Sequence, residues 1–190
     1  MPRKPQYDKD DLINRARDLF WARGWAGTSL KDLEAELKLK PGSFYAAFGS
    51  KDALFELALE RYASDGKVRL NTLADAQGAL GALKTYPRFV IDNPDAPAKA
   101  CMMTKTLLEL QAQNHPLADV ANENLRHMEQ VFAELFKRAQ EAGDIGPSYD
   151  PAILARRYQS DLLGLRMSAE RSGVDTHAIA QEIADGLDRL

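Results

Sequence analysis

The chain has 190 residues, of which 45% are hydrophobic and 28% charged, and this apolar fraction excludes a chain that is disordered throughout. Its single cysteine excludes an intrachain disulfide or a cysteine-rich zinc site and indicates the reducing cytoplasm. The net charge of −3 is unevenly distributed: residues 1–51 carry ten Lys and Arg against seven Asp and Glu, and residues 71–190 carry twelve against seventeen. A basic N-terminal part on an acidic body is typical of a phosphate-binding module attached to another domain.

The spacing of apolar residues predicts an all-α fold of about nine helices, with no strand-like alternation and no internal repeat. The helices are expected over residues 8–23, 30–36, 41–48, 51–69, 76–90, 101–111, 117–142, 150–171 and 175–190. No apolar run reaches the length of about 18 residues that a membrane span needs. The first eight residues lack the apolar stretch of a secretory signal, so we expect neither a span nor a signal.

The first three predicted helices are short and separated by clear stop and start signals. Gly24 fits the left-handed position that ends a helix, and Ser29 with Asp32 predicts a weak capping box at the second helix. Pro41 fits the first position of the third helix. Three such helices with a tight turn before the third match a helix-turn-helix unit.

Helix N-termini in this unit are suited to phosphate, because they present free N–H groups and a positive dipole end. One is marked by Thr28 and Ser29, and the other by the run Pro41–Ser43. Gly42 permits a close backbone approach, and three further side chains are placed to contact phosphate: Ser43, Tyr45 and Lys51. Spacing alone is equally consistent with ordinary caps in a helical bundle.

Residues 42–54 read GSFYAAFGSKDAL and resemble the signature of tetracycline-repressor (TetR) family regulators, Gly-Ser-x-Tyr-x-x-Phe-x-x-Lys-x-x-Leu. The similarity covers about residues 10–60 and includes ten residues that precede the signature: Ala16, Leu19, Phe20, Gly24, Trp25, Thr28, Ser29, Leu30, Asp32 and Leu33. The remainder of the chain resembles the family in length and in the number of helices.

The resemblance implies a helix-turn-helix DNA-binding domain over residues 7–52 and an effector-binding and dimerisation domain over residues 53–190. Such a protein binds a palindromic operator in double-stranded DNA as a homodimer, most often as a repressor, and a small-molecule effector releases it. Tyr45 and Lys51 would contact phosphate, and a recognition helix over about residues 41–47 would lie in the major groove. Base readout would then depend on five residues: Lys40, Pro41, Gly42, Ser43 and Ala46.

Two departures from the family pattern concern base recognition. Lys40 stands where the family often has a Ser or Thr cap, and Ala46 and Ala47 stand where bulky polar residues often occur. Specificity is therefore expected to be modest or to depend on DNA shape, with Ala46 able to contact a thymine methyl group. At the N-terminus, Arg3 and Lys4 either enter a minor groove or belong to a frayed end.

The last two predicted helices carry more apolar residues than one intramolecular face needs. By the resemblance they form the interface between two chains, and six residues are expected to contribute: Leu154, Leu162, Leu165, Ile179, Ile183 and Leu187. The alternative is that both helices simply pack onto the long helix over residues 117–142. A dimer is favoured because paired half-sites in DNA require a two-fold protein.

Six residues are candidates for contact with an effector: Tyr62, Phe89, Cys101, Lys105, His127 and Tyr158. The charge of Lys105 favours a thiolate at Cys101, and the segment around Cys101 is similar to one in TetR-family members that respond to electrophiles or oxidants. The alternative is a buried, inert Cys101 and a hydrophobic effector that binds without covalent chemistry.

No cofactor, metal or catalytic activity is expected. Cys101, Met102, Met103 and His115 are soft-metal ligand types, but adjacent methionines on a helix point in different directions. The sequence lacks the motifs of nucleophile elbows, zinc proteases, dinucleotide-binding folds and phosphate loops. A helical adaptor that does not bind DNA would leave the phosphate-binding pattern unexplained.

Overall fold

The computed structural model describes residues 8–190, and within this range the chain forms eight α-helices, one short 3₁₀ turn and no β-strand. The helices are Lys9–Arg23 (α1), Leu30–Leu37 (α2), Pro41–Phe48 (α3), Lys51–Asp92 (α4), Met102–Leu110 (α5), Pro116–Glu141 (α6), Pro151–Ser168 (α7) and Thr176–Leu187 (α8). The all-α prediction is confirmed, and the expected number of helices is close. In the same range no helix has the length and hydropathy that a membrane span requires. Arg3 and Lys4 lie outside the described residues.

α4 joins two helices that the sequence predicted separately. The residues between them contain neither Gly nor Pro, so the helix continues to residue 77. It breaks at Gly78, whose φ of 78° and ψ of 169° are not helical, and it resumes at residue 79. Glycine adopts this conformation without the strain that a Cβ would cause. α4 therefore has a first segment, residues 51–77, and a second segment, residues 79–92.

Side-chain caps define where most of the N-terminal helices begin. Ser29 and Asp32 form the predicted capping box at α2, and Ser50 caps α4. α3 differs, because its N-cap residue Lys40 makes no side-chain hydrogen bond to the helix. The N-terminus of α3 therefore lacks the side-chain cap that its neighbours have.

The three N-terminal helices share an apolar core with the first segment of α4. Phe44 and Phe48 of α3 are buried in this core, and Phe20 packs edge-on against Phe55 with the ring centroids 4.5 Å apart. The same core continues into α5 and the start of α6. The N-terminal helices are therefore joined to the rest of the chain by packing against α5 as well as through α4.

A proline within α4 leaves one carbonyl group without its helical partner. Pro87 has no N–H to donate to the carbonyl oxygen of Leu83, four residues earlier. The hydroxyl of Tyr158 in α7 donates to this oxygen at 2.6 Å, and the Tyr158 ring packs edge-on against Phe132 and Phe136. Burial raises the pKa of Tyr158 well above its ordinary value, so the hydroxyl stays protonated. Tyr158 thus compensates for Pro87 and is part of the core.

α7 and α8 pack against α4 and α6 and bury much of their apolar surface within one chain. Three of the predicted dimer contacts lie in this core, which corrects their assignment: Leu162, Leu165 and Leu187. The other three lie partly buried at its edge: Leu154, Ile179 and Ile183. The exposed apolar side chains of α7 are instead Ile153 and Met167, which are 58% and 61% exposed. The buried part of the predicted interface stripe therefore faces the core of its own chain.

Candidate functional site

α3 presents a polar face to solvent and an aromatic face to the core. Six predicted DNA contacts are exposed on this helix or directly before it: Lys40, Pro41, Gly42, Ser43, Tyr45 and Ala46. The Tyr45 side chain is 50% exposed, and its ring packs edge-on against buried Phe44 with the centroids 5.7 Å apart. An exposed helix with small and polar side chains fits the width of the major groove.

Thr28 and Ser29 use their hydroxyl groups within the protein. Thr28 is 0% exposed, and its Oγ1 donates to the carbonyl oxygen of Gly24 at 2.7 Å, so its side chain cannot reach a phosphate. This corrects the expectation for Thr28. Ser29 is exposed; its hydroxyl accepts the amide of Asp32 at 3.2 Å, and hydrogen bonds from Ser29 lower the pKa of Asp32.

Lys51 lies at the start of α4, as predicted, and it also holds the turn between α1 and α2. Its Nζ donates to the carbonyl oxygens of Trp25 at 2.8 Å and Thr28 at 3.0 Å, and it lies 3.8 Å from the centre of the Trp25 ring. Burial lowers the pKa of Lys51, while Asp52 and Glu109 act in the opposite direction. These bonds use two of the three ammonium N–H donors, so Lys51 positions the turn, and its expected contact with phosphate stays a prediction.

α5 holds the same turn through two charged residues that sequence analysis did not place there. The carboxylate of Glu109 accepts the amide of Trp25 at 3.1 Å and that of Ala26 at 2.7 Å. Lys105 donates to the carbonyl oxygen of Trp21, near the end of α1, at 2.6 Å. Residues four apart share a helix face, so both charges lie on the side of α5 that meets α1. Each charge complements the backbone group that it contacts.

Trp25 and His115 pack together beside this turn. Their ring centroids are 4.7 Å apart, and Trp25 Nε1 donates to Asp52 Oδ1 at 2.8 Å. His115 Nδ1 accepts the amide of Leu117 at 3.3 Å and so caps α6. Across residues 8–190 no group of three His, Cys, Asp or Glu side chains is arranged to hold a metal ion.

A cavity of about 200 Å³ lies between α1, α4, α6 and α7, beside the start of α5. Five aromatic side chains line it: Trp21, Tyr62, Tyr86, Phe89 and Phe132. Of the six predicted effector contacts, three are brought together here: Tyr62, Phe89 and Cys101. An aromatic lining with a few polar groups is typical of a small-molecule site.

The other three predicted effector contacts lie elsewhere. Lys105 is bonded to the end of α1, and Tyr158 is bonded to Leu83 in the core. His127 is exposed on α6, where its Nε2 lies 3.1 Å from the carboxylate of Glu123, and it lines an outer groove between α4 and α6. These corrections have one cause: the packing of the helices decides which side chains face the cavity.

Arg166 of α7 also lines the cavity, and sequence analysis missed it. Its Nε donates to the carbonyl oxygen of Lys99 at 2.8 Å, and its guanidinium lies 5.5 Å from the ring centre of Trp21 and 6.0 Å from that of Tyr62. The sequence did contain a sign that Arg166 faces the interior. It lies one helical turn after Leu162 and therefore falls on the apolar face of α7.

Neutral polar groups surround the Arg166 guanidinium. Burial raises the pKa of Tyr62 well above its ordinary value, and the neighbouring Cys101 raises it further. Burial also raises the pKa of Tyr86. Both phenols are therefore uncharged at neutral pH, and each has a hydroxyl that donates or accepts a hydrogen bond.

Comparison with known proteins gives matches over both parts of the chain. The family model "Bacterial regulatory proteins, tetR family" matches residues 12–58, and "Tetracyclin repressor-like, C-terminal domain" matches residues 68–185. The transcriptional repressor ComR of Escherichia coli (strain K12) is 26% identical over 180 residues, which cover 92% of this chain and 85% of ComR. The transcriptional repressor DhaR of Mycobacterium sp. (strain GP1) is 26% identical over 177 residues, or 88% of this chain and 86% of DhaR.

Solved structures of regulators have the same fold. A cysteine mutant of the TetR family regulator CifR, complexed with 26-base-pair operator DNA, has a TM-score of 0.80 and 28% identity, with 98% of each chain covered. A TetR family regulator from Cytophaga hutchinsonii has a TM-score of 0.85 and 20% identity, over 96% of this chain and 94% of that one. These relatives are transcriptional regulators, not enzymes. The chain belongs to the TetR family of bacterial transcriptional regulators.

Proposed function

We propose that the protein is a ligand-responsive transcriptional repressor in the cytoplasm, which binds a palindromic operator as a homodimer and is released by a small-molecule effector. The observation that carries the proposal is the exposed polar face of α3 on a buried aromatic core. The names of ComR and DhaR and the operator complex of CifR support DNA binding and repression. In this proposal residues 7–52 bind DNA, and residues 53–190 bind the effector and the second chain.

The recognition surface consists of α3 and the residue before it. Lys40, Ser43 and Tyr45 bring a charge and two hydroxyl groups to phosphates and base edges, while Gly42 and Ala46 allow a close approach of the helix to the groove. Ser29 brings the N-terminus of α2 towards the phosphate backbone. Lys51 holds the turn that orients α2, and its third ammonium N–H would contact a phosphate.

The dimer interface involves the outer faces of α7 and α8. Ile153, Gly164 and Met167 are exposed on α7, and the edge residues of the core extend this face: Leu154, Ile179 and Ile183. The glycine lets the backbone of a second helix approach closely, and the two apolar side chains supply buried area. A two-fold dimer would place one α3 helix in each half-site, about 34–36 Å apart.

The effector acts by shifting the population between a DNA-binding arrangement and a released one. Trp21 connects the cavity to α1 directly, because it lines the cavity and donates Nε1 to the carbonyl oxygen of Ala100 at 2.7 Å. α5 runs from Cys101 at the cavity to Glu109 at the turn between α1 and α2. A ligand that moves α1, α5 or the first segment of α4 changes the separation of the two α3 helices.

The proposed function is tested by titration of the purified protein with a duplex from the intergenic region upstream of its own gene. A scrambled duplex of equal length serves as competitor. We expect binding that resists the competitor and falls steeply as salt increases. Absence of binding to either duplex at low salt would show that the protein does not bind DNA in this way. Equal binding to both would contradict an operator in that region.

The same titration separates the roles of Lys40 and Tyr45. Lys40→Gln is expected to reduce the slope of log K against log salt by about 1, because one cation fewer displaces counterions. Tyr45→Phe removes a hydrogen bond but no charge, so it is expected to weaken binding about 2- to 10-fold with the slope unchanged. Lys137→Gln, at an exposed lysine on α6, is the control and should alter neither quantity. An unchanged slope in Lys40→Gln would remove Lys40 from the interface.

Cys101 provides a covalent route to release, since its thiol opens into the cavity. The thiolate would add across the double bond of N-ethylmaleimide with no leaving group, and one adduct per chain would appear in the mass spectrum, because the chain has one cysteine. We expect this adduct to lower the affinity for the operator. Cys101→Ala should bind the operator as the wild type does, and the reagent should not change its affinity. An equal response of both proteins would favour the alternative, in which the effector binds without covalent chemistry.

A further inference from the structure

Arg166 carries a positive charge that no acidic side chain neutralises in the described part of the chain. It pairs with no carboxylate of residues 8–190, and the groups that face it are Tyr62, Tyr86 and Cys101. A guanidinium group stays charged over the whole pH range in which proteins fold. A charge in such surroundings is unfavourable unless a partner of opposite charge is present. The cavity therefore has a fixed positive end.

The acidic residues around the cavity are engaged elsewhere. Two on its wall pair with Arg17: Asp18 and Asp65. Asp95 is exposed on the loop before α5. Glu170 accepts a hydrogen bond from the amide of Lys99 at 2.8 Å and so fixes the loop before α5. The carbonyl oxygen of the same Lys99 accepts the hydrogen bond from Arg166 Nε. Arg166 is thus held by neutral groups, the carbonyl oxygen of Lys99 and the hydroxyl of Tyr62, and these two partners do not use all five of its N–H donors.

The rest of the cavity suits one aromatic ring. Tyr86, Phe89, Phe132 and Met128 form apolar walls around it. The cavity volume is about 200 Å³, and a protein cavity of about 150 Å³ accommodates benzene. The space therefore accommodates a single ring with a short substituent.

We propose that this cavity binds a single-ring aromatic carboxylate, whose two oxygens pair with the Arg166 guanidinium while the ring packs among the aromatic walls. The inference rests on the proposed function, because it names the chemical class of the effector. Carboxylate and guanidinium match in geometry and form two parallel hydrogen bonds. The neutral hydroxyl of Tyr62 would donate a third hydrogen bond to the carboxylate. Because the guanidinium also contacts the Trp21 ring of α1, ligand binding at Arg166 is transmitted to the DNA-binding helices.

The test compares acids with their neutral amides by calorimetric titration of the full-length protein without DNA. Benzoate and phenylacetate are the acidic probes, and benzamide and phenylacetamide are matched in shape but uncharged. We expect each acid to bind at least tenfold more tightly than its amide, because hydrogen bonds to charged groups are stronger than neutral ones. Equal affinity for acid and amide, or no binding of any probe, would overturn the proposal.

Two arginine variants locate the effect. Arg166→Gln is expected to bring the affinity for the acid down to that for the amide and to leave the amide affinity within threefold. Arg126→Gln is the matched control: this arginine lies on α6, is exposed to solvent and does not line the cavity. It should retain the preference for acids. If Arg166→Gln still binds acids more tightly than amides, Arg166 is not the carboxylate partner and the proposal is overturned. If this variant does not fold, the ratio of acid to amide affinity in the wild-type protein decides the test.

The operator titration is scored separately, so the two proposals fail in different ways. Acid-selective binding without operator binding would contradict the repressor function and leave the cavity assignment in place. Operator binding without acid-selective binding would contradict the effector class alone. Loss of operator affinity on addition of benzoate or phenylacetate, and not of the amides, is the outcome expected when both are correct.

Discussion

Replacement of Gly42 by glutamate is expected to abolish operator binding without loss of the fold. A Cβ at Gly42 would meet no atom within 4 Å, and the position is exposed, so a longer side chain can extend into solvent. A carboxylate in the first turn of α3 also complements the positive end of the helix dipole. In the proposed complex the same carboxylate faces DNA phosphates, and like charges placed together cost several kcal/mol. We therefore expect operator affinity to fall by at least about 100-fold.

Gly42→Gln is the control for this substitution, since it adds a side chain of the same size with no charge. We expect Gly42→Gln to retain binding within tenfold of the wild type, and both variants to melt at or above the wild-type temperature. The measurement is an operator titration at a single salt concentration, together with thermal unfolding followed by circular dichroism. Similar affinities for the glutamate and glutamine variants would mean that the start of α3 does not face the DNA.

Loss of the Tyr158 hydroxyl is expected to destabilise the protein, and the size of the effect should depend on Pro87. Tyr158→Phe leaves the carbonyl oxygen of Leu83 buried and without a donor, which costs about 1–3 kcal/mol of unfolding free energy. In the Pro87→Ala background, the new backbone N–H donates to the same oxygen as in an ordinary helix. Removal of the hydroxyl should then cost about 1 kcal/mol or less.

The difference between these two costs is measured by a double-mutant cycle in urea. All four proteins are compared at one chain concentration, because the stability of a dimer depends on concentration. Tyr62→Phe serves as a matched loss of a buried phenol hydroxyl far from Pro87 along α4, and its cost should not depend on Pro87. Additive effects of Tyr158→Phe and Pro87→Ala would show that the tyrosine does not compensate for the proline.

Local signals predicted the N-terminal helices well, because their boundaries depend on residues close in sequence. Ser29 with Asp32 and Pro41 define helix starts through bonds that span at most three residues. The break in α4 was misplaced for the same reason: the apolar pattern weakens before residue 76, whereas the helix continues until Gly78 permits a non-helical conformation. A weaker pattern of apolar residues does not by itself end a helix. The helix ends where the φ and ψ angles of a residue leave the helical region.

The cavity and the turn between α1 and α2 could be predicted only in part, because distant residues form them. Arg166 donates its hydrogen bond to a carbonyl oxygen in a loop 67 residues earlier, and Glu109 accepts one from an amide 84 residues earlier. Lys51 and Thr28 illustrate the converse. The positions of both in the sequence suit phosphate, but the structure offers them nearer partners in backbone carbonyl groups. Which partner a polar side chain takes depends on the packing of the helices.

The four-residue spacing of Cys101, Lys105 and Glu109 along α5 bears on how this protein would be re-engineered as a biosensor. Eight residues of helix span about 12 Å. One short helix therefore contributes to the cavity wall and also forms the hydrogen bonds to the end of α1 and to the turn that follows it. Most of the residues that line the cavity belong to α4, α6 and α7. New inducers would therefore be sought by randomising α6 and α7, with the α5 face held constant as the common output.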